Sequence, residues 1–376
     1  MLKLNGLVVL LLASSFCVTF GGLLPNGNFE EKPSPTQLSG TRVEGKYAIP
    51  KWVTSGFVEY ITSGSKQQDM VLIVPEGKHA VRLGSNASIK QKVSAQKGKF
   101  YALTFSFGRT CSQEEVLNVT VTPSSKGHSG ILPLQTVYSS VGFDSYAWGF
   151  RAEADVVEII LHNPGHPGED PACGPLIDTI ALTILDSVKP TGGNLVKNGD
   201  FGEGPYVFHS SSWGVLIPPN VEDSHSPLPA WRVESLKAVK YIDSLHFFVP
   251  EGQRAVELVG GKESVIAQTI RTQPGRLYAL TFMVGDGKNG CVGSLAVEAF
   301  AATSTTRVTY NSKGQGGFIR GKLVFKADKG TTVIRFLSSF YTMTIDGSMC
   351  GPVIDDVKVL HARSYRSSSP KEVIRV

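Results

Sequence analysis

Charge is scarce in this chain. Asp, Glu, Lys and Arg make up 18% of its 376 residues, while 41% are hydrophobic. That balance excludes intrinsic disorder, which needs low hydrophobicity and high charge. The formal net charge is only +5, and the basic residues form no cluster within the body of the chain, so a nucleic-acid footprint is excluded. Helical periodicity is missing as well. Without helical crossovers a parallel α/β fold has no connections. Beyond the first twenty or so residues no apolar run is long enough to cross a membrane. The end "HARSYRSSSPKEVIRV" offers no hydrophobic tail for a lipid-linked anchor. G-x-S-x-G, H-E-x-x-H and P-loop signatures are all lacking.

Some pairs resemble catalytic ones only at first sight. His162 and His166 stand four apart in "HNPGH", but Pro164 and Gly165 forbid the helix that would align them. Asp355 and Asp356 are adjacent on a predicted strand and point to opposite faces, so they cannot form a glycosidase pair with each other. Glu169-Asp170 lies in a loop, and no second acid is specified for it. The chain is expected not to be an enzyme.

The chain opens with Lys3, the apolar run "LVVLLLASSFCVTF" and then Gly21-Gly22. This is the pattern of a secretory signal peptide, here residues 1–22. Of five cysteines, Cys17 lies in that segment and Cys111, Cys173, Cys291 and Cys350 remain, which suits an oxidising compartment. Asn86-Ala-Ser88 and Asn118-Val-Thr120 are candidate glycosylation sites. The end of the chain, residues 363–376, carries Arg363, Arg366, Lys371 and Arg375 against Glu372. It reads as a flexible basic tail, with contact to an acidic polymer as the alternative.

Nearly everything else is said twice. "LLPNGNFE" (Leu23–Glu30) returns as "LVKNGDFG" (Leu195–Gly202), and "IPKW" ending at Trp52 returns as "LPAW" ending at Trp231. "VEYI" from Val58 matches "VKYI" from Val239, and "VPEGKHAVRL" from Val74 matches "VPEGQRAVEL" from Val249. "YALTF" recurs unchanged at Tyr101 and Tyr278, and "CGPLID" at Cys173 becomes "CGPVID" at Cys350. Two domains follow, 23–187 and 194–362, joined by a linker at 188–193. "YALTFSFG" alternates, with Tyr101, Leu103, Phe105 and Phe107 on one face. Short strands of this kind between turn residues predict an all-β fold, with each repeat a sandwich or jelly roll. Four cysteines allow three pairings. The repeat favours Cys111 with Cys173 and Cys291 with Cys350, closing loops of about 60 residues worth ~4 kcal/mol each. A zinc site is the rival, without the C-x2-C spacing it favours.

The motifs "LLPNGNFE", "AVRLG", "YALTFSFGRTC", "HNPGHPGEDPACGPLID", "NGDF" and "CGPVIDDV" together resemble the plant cell-wall proteins of the domain of unknown function 642 family. The resemblance implies two tandem galactose-binding-like jelly-roll β-sandwiches. It also implies secretion to the extracellular space and cell wall, association with wall polysaccharides, and pectin methylesterase as a protein partner. Carbohydrate-binding jelly rolls that begin N-G-x-F-E and end I-D-D-V are also similar. In those, an early acid and a late aspartate share a structural calcium. That resemblance implies Glu30 with Asp178 in the first repeat and Asp355 in the second as ligands, oxygen donors that suit Ca2+. Gly202 replaces Glu30 in the second repeat, with only the shifted Glu203 nearby, so calcium is expected in the first repeat alone. The alternative is that these carboxylates hold backbone N–H groups. No cofactor is required.

A sugar-binding surface needs flat aromatic faces with polar groups beside them. The candidate aromatics are Trp52, Trp148, Trp213 and Trp231, with Tyr60 and Tyr241; Trp52 and Trp231 are repeat equivalents beside the same Pro and read as core. Trp148 in "DSYAWGF" and Trp213 in "SSSWGVL" have no counterparts and sit among turn-prone residues, so they are the binding candidates. Arg82 and Arg109 are candidate partners for uronate carboxylates. Two functions are expected from these residues together with what the resemblance implies. One is a non-enzymatic binder of pectin or hemicellulose. The other is a protein-binding adaptor that modulates pectin methylesterase without glycan affinity.

Overall fold

A computed structural model describes residues 21–362, apart from 68–69, 112–114, 125–128, 134–137, 139–141, 166–169, 211–212, 221–224 and 235. Most of the signal segment, the basic tail, His166 and Glu169 lie outside the described residues. No helix among those described is long and apolar enough to cross a membrane.

The fold is all-β. In the first repeat the front sheet runs, in spatial order, Val58–Thr62, His79–Leu83, Leu176–Leu185, Phe100–Gly108 and Phe143–Arg151. The back sheet runs Ser129–Pro133, Val116–Thr122, Val156–Asn163, Ala87–Ser94 and Val53–Ser55. The second repeat has the same order. Its front sheet is Val239–Asp243, Arg254–Glu257, Val353–His361, Leu277–Gly285 and Phe318–Lys326. Behind it lie Ser304–Lys313, Val292–Ala301, Thr331–Ser338, Val265–Arg271 and Arg232–Val233. The period-two reading of "YALTF" places Tyr101, Leu103, Phe105 and Phe107 in the first core and Tyr278, Leu280 and Phe282 in the second. Each such side chain contributes roughly 1.5–3 kcal/mol by burial.

The two sandwiches are not beads on a string. Residues 188–193 carry no strand, yet the front sheets are continuous. The strand Val215–Ile217 lies between them, parallel to Phe143–Arg151 (Tyr146 opposite Leu216) and antiparallel to Val239–Asp243. Successive strand residues point to opposite faces. Leu216 therefore enters the first core, while Val215 and Ile217 enter the second. The sandwiches sit on opposite faces of one fourteen-stranded sheet. At the free end of the first repeat, Arg42–Val43 flanks Val58–Thr62 and is itself covered by Leu38–Ser39. That local hairpin fills the slot that the first repeat fills for the second.

Candidate functional site

The shared motifs build hooks. Trp52 Nε1 donates to the Asn26 carbonyl, and Trp231 Nε1 to the Asn198 carbonyl, both at 2.8 Å. Tyr60 Oη donates to Phe29 O, and Tyr241 Oη to Phe201 O. The two aspartates act alike. Asp178 accepts N–H groups from Glu76 (3.0 Å) and Thr179 (2.7 Å), and Asp355 from Glu251 (2.8 Å) and Asp356 (2.7 Å). Thr179 and Asp356 have φ of +45° and +47° and sit at register shifts in the last strand. The aspartate thus ties the "VPEG" turn to a bulge, and the bulge re-aims Asp356. Asp355 and Asp356 do not simply alternate across the strand as expected.

Burial raises Asp178 well above the ordinary carboxylate range, with Glu76 and Glu30 adding like charge. Burial also pushes Asp355 up to about 8. Glu30 accepts from the N–H groups of Lys78 (2.6 Å) and His79 (3.0 Å), and its other oxygen lies 2.9 Å from His79 Nδ1. Ca2+ takes about 6–8 oxygen ligands. The oxygens of Glu30 and Asp178 already face N–H donors, and no group of three His, Cys, Asp or Glu ligand atoms forms around them among the described residues. The donor set fits a backbone clamp.

The disulfides are Cys111–Cys173 and Cys291–Cys350. Glu115 lies within 4.8 Å of the first and accepts the N–H groups of Thr110 and Cys111. Burial raises it to about 7, against those bonds and the nearby Arg109 and Arg82. Asn86 is exposed at a turn with φ +56°, while Asn118 is half-buried within a strand. His162 Nδ1 lies 3.1 Å from the Ala87 carbonyl.

Of the four expected sugar contacts, Trp148 and Arg82 are buried, while Trp213 and Arg109 are half-buried. Trp148 belongs to the strand Phe143–Arg151, 7% exposed in the first core and stacked on Phe150. Trp213 packs edge-on against Phe143 at 5.1 Å, welding the second repeat to the first. Arg82 is buried against Glu59, Nε to Oε2 2.7 Å. In the second repeat the same two positions hold the reverse pair, Lys240 with Glu257 at 3.8 Å. Arg109 donates through Nε to the Cys111 carbonyl at 2.8 Å.

An open polar groove of about 540 Å3 lies instead at the free end of the first sandwich, between the edges Arg42–Val43 and Val53–Ser55. Arg42, Lys46 and Lys90 line it against Glu44, with the hydroxyls of Thr54, Ser55 and Ser88. Arg42 pairs with Glu44 at 3.4 Å and Lys90 with Glu158 at 3.0 Å. Lys46 has no carboxylate partner among the described residues. Its Nζ lies 5.5 Å from the ring of Tyr47, which is 70% exposed. The second repeat has closed this place. Arg232 and Arg335 clamp Glu234 at 2.8 and 2.7 Å, and Ala267 stands where Lys90 stands. The signal for the groove was available in the sequence, because Arg42–Tyr47 has no counterpart in the second repeat.

A family model described as "Protein of unknown function (DUF642)" matches residues 22–183 and again 194–360. "Protein DUF642 L-GALACTONO-1,4-LACTONE-RESPONSIVE GENE 2" of Arabidopsis thaliana is 56% identical over 355 residues, covering 94% of this chain and 95% of that protein. "Protein TEEBE" of Arabidopsis thaliana is 48% identical, covering 91% and 92%. Among solved structures, the N-terminal CBM22-1–CBM22-2 tandem domain of Xyn10C from Paenibacillus barcinonensis overlaps 92% of this chain and 99% of its own, at 12% identity and a TM-score of 0.30. TmCBM61 in complex with beta-1,4-galactotriose overlaps 43% of this chain and 98% of its own, at 16% identity and a TM-score of 0.27. Overlaps of that size do not place one residue upon another. With both repeats matched and more than nine-tenths of the chain shared with its relatives, the chain belongs to the DUF642 family.

Proposed function

We propose that the protein is a secreted, non-catalytic binder of acidic cell-wall polysaccharide, with the groove of the first repeat as its site. The observation that carries this reading is an open groove with three cations and one facing acid, beside an exposed tyrosine. Uronate carboxylates pair with Arg42, Lys46 and Lys90, and a sugar C–H face stacks on Tyr47. No cofactor is required. The carboxylates of Glu30, Asp178 and Asp355 serve the fold.

Retention on de-esterified galacturonan tests the reading. Lys46→Ala/Lys90→Ala is expected to weaken it at least tenfold at low salt, and the wild-type interaction should itself fade with added salt. Deleting residues 363–376 separates the tail's share. Unchanged retention in the double variant removes the groove from the function.

A second reading, docking to pectin methylesterase, has its own support in the second repeat. The hairpin Thr342–Met343 with Met349–Cys350, held by Cys291, exposes Phe340, Tyr341, Met343 and Ile345. Clustered exposed apolar side chains mark interaction sites. Met343→Asp/Ile345→Asp is expected to abolish capture of pectin methylesterase and leave galacturonan retention intact. Capture that survives the substitution rules the hairpin out.

A further inference from the structure

The substitution of Gly202 for Glu30 opens a second cleft. In the first repeat Glu30 fills the space beside Tyr60 and His79 with its own carboxylate. The equivalents in the second repeat are Gly202, Tyr241 and Arg254. No carboxylate reaches in from position 202, and Arg254 turns to Asp243 at 3.3 Å and lies over the Tyr241 ring. The first repeat supplies the opposite wall, so the cleft exists only because the two repeats are welded.

The cleft has a volume of about 370 Å3, within the ~300–1,000 Å3 of small-molecule sites. Thr183 and Asp186 line it from the first repeat, and Glu203, Tyr206, His209 and Arg254 from the second. The Asp186 N–H donates to Glu203 Oε1 at 2.7 Å across the junction. Tyr206 and His209 are stacked at 6.1 Å and 24°. Thr183 Oγ1 is buried in the cleft wall without a hydrogen-bond partner. A buried hydroxyl with no partner is costly unless something completes it.

We infer that this inter-repeat cleft binds a neutral sugar residue of a polysaccharide chain. Two carboxylates face one arginine whose charge Asp243 already meets, so the cleft repels uronates. Carboxylates accept sugar hydroxyls in charge-assisted bonds. Tyr206 provides an aromatic face for the ring C–H groups. The basic groove of the first repeat and the inter-repeat cleft lie at different places on one continuous sheet, and the second site does not depend on the first.

Calorimetric titration of the full chain from a secretory host tests this, with linear β-1,4-linked tetraoses of galactose, xylose and glucose as probes. At least one tetraose is expected to bind saturably. Gly202→Glu restores the first repeat's own filling. A Cβ at 202 meets nothing closer than the Asp200 carboxylate at 3.5 Å, so this variant is expected to fold. It should weaken the tetraose at least tenfold, and Tyr206→Ala should do likewise. Lys46→Ala/Lys90→Ala should leave tetraose binding unchanged, which separates this site from the groove. Absence of binding by all three tetraoses, or binding that survives both cleft variants in folded protein, overturns the inference.

Discussion

The two repeats make the same bonds through their shared Asn, Trp, Tyr and clasp Asp residues, and they differ in the surfaces around them. Beneath the hooks one buried pair is reversed, Glu59–Arg82 against Lys240–Glu257. That reversal teaches that the site requires neutrality and reach rather than a particular sign at a particular strand. At the surface the first repeat keeps an open basic groove, and the second closes it with Arg232, Glu234 and Arg335. The second repeat, in turn, opens beside Gly202 what the first fills with Glu30.

Separating the repeats is the harshest test of how far each stands alone. The first core includes Leu216, Ala238, Val259 and Met349 of the second repeat, and the second core includes Ala147 of the first. The whole chain is expected to melt in one cooperative transition, and residues 22–187 or 194–362 alone to lose cooperative melting. Two independent transitions in calorimetry would break the comparison at its root.

The reversed pair is the next test. Glu59→Lys or Arg82→Glu alone strands a buried charge and should cost ~3–5 kcal/mol in urea unfolding. The double variant copies the second repeat's polarity and should recover at least half of that. The shortfall reports Glu115, which lies close enough to feel Arg82. Additive losses would show that the two sites are not interchangeable.

Acidity offers a gentler probe. Burial raises Asp144 and Glu115 to about 7 and Asp355 to about 8, against unfolded values near ~4. The native state then holds protons that the unfolded state releases. The stability from these groups is complete below about pH 4 and declines as pH climbs toward 8. Glu30 and Glu234 shift downward, so their contribution changes only in acid. Tm is expected to be higher at pH 5 than at pH 8 by ~5 °C or more. A flat or opposite slope would mean that the buried acids are solvated or paired.

Calcium should have the smallest effect. If Glu30 and Asp178 clamp backbone, millimolar Ca2+ should move Tm by less than ~2 °C, whereas saturating a site at a hundred times its Kd would add about 2.7 kcal/mol. A large shift lost in Glu30→Gln would instead assign the ion to the first repeat.

The sandwich character, the strand faces and the cysteine pairing were legible because period-two alternation and duplication are local properties of a chain. The burial of Trp148 was hidden in the sequence for a physical reason. Ser145, Ala147 and Gly149 around it look like turn residues. They are small because the opposite face of that strand lies against the second repeat, where a Cβ on Gly149 would strike the His225 carbonyl. Trp213, in a loop the first repeat does not share, packs against Phe143 at the junction. The pairing of Arg82 with Glu59 is not legible in the sequence, because a strand gives no notice of which face is covered.

The sequence by itself determined two copies of one β-sandwich, each closed by its own disulfide and by a cysteine-to-aspartate clasp. Those features depend on spacing and alternation, which the order of residues records. Only the tertiary structure decided that the copies share a sheet, that Trp148 and Arg82 are buried while Trp213 packs at the junction, and that charge gathers around Lys46. It also decided that a cleft lies between Thr183 and Tyr206. These depend on which surfaces meet at long range, where burial and desolvation rather than residue type assign a side chain to packing or to solvent.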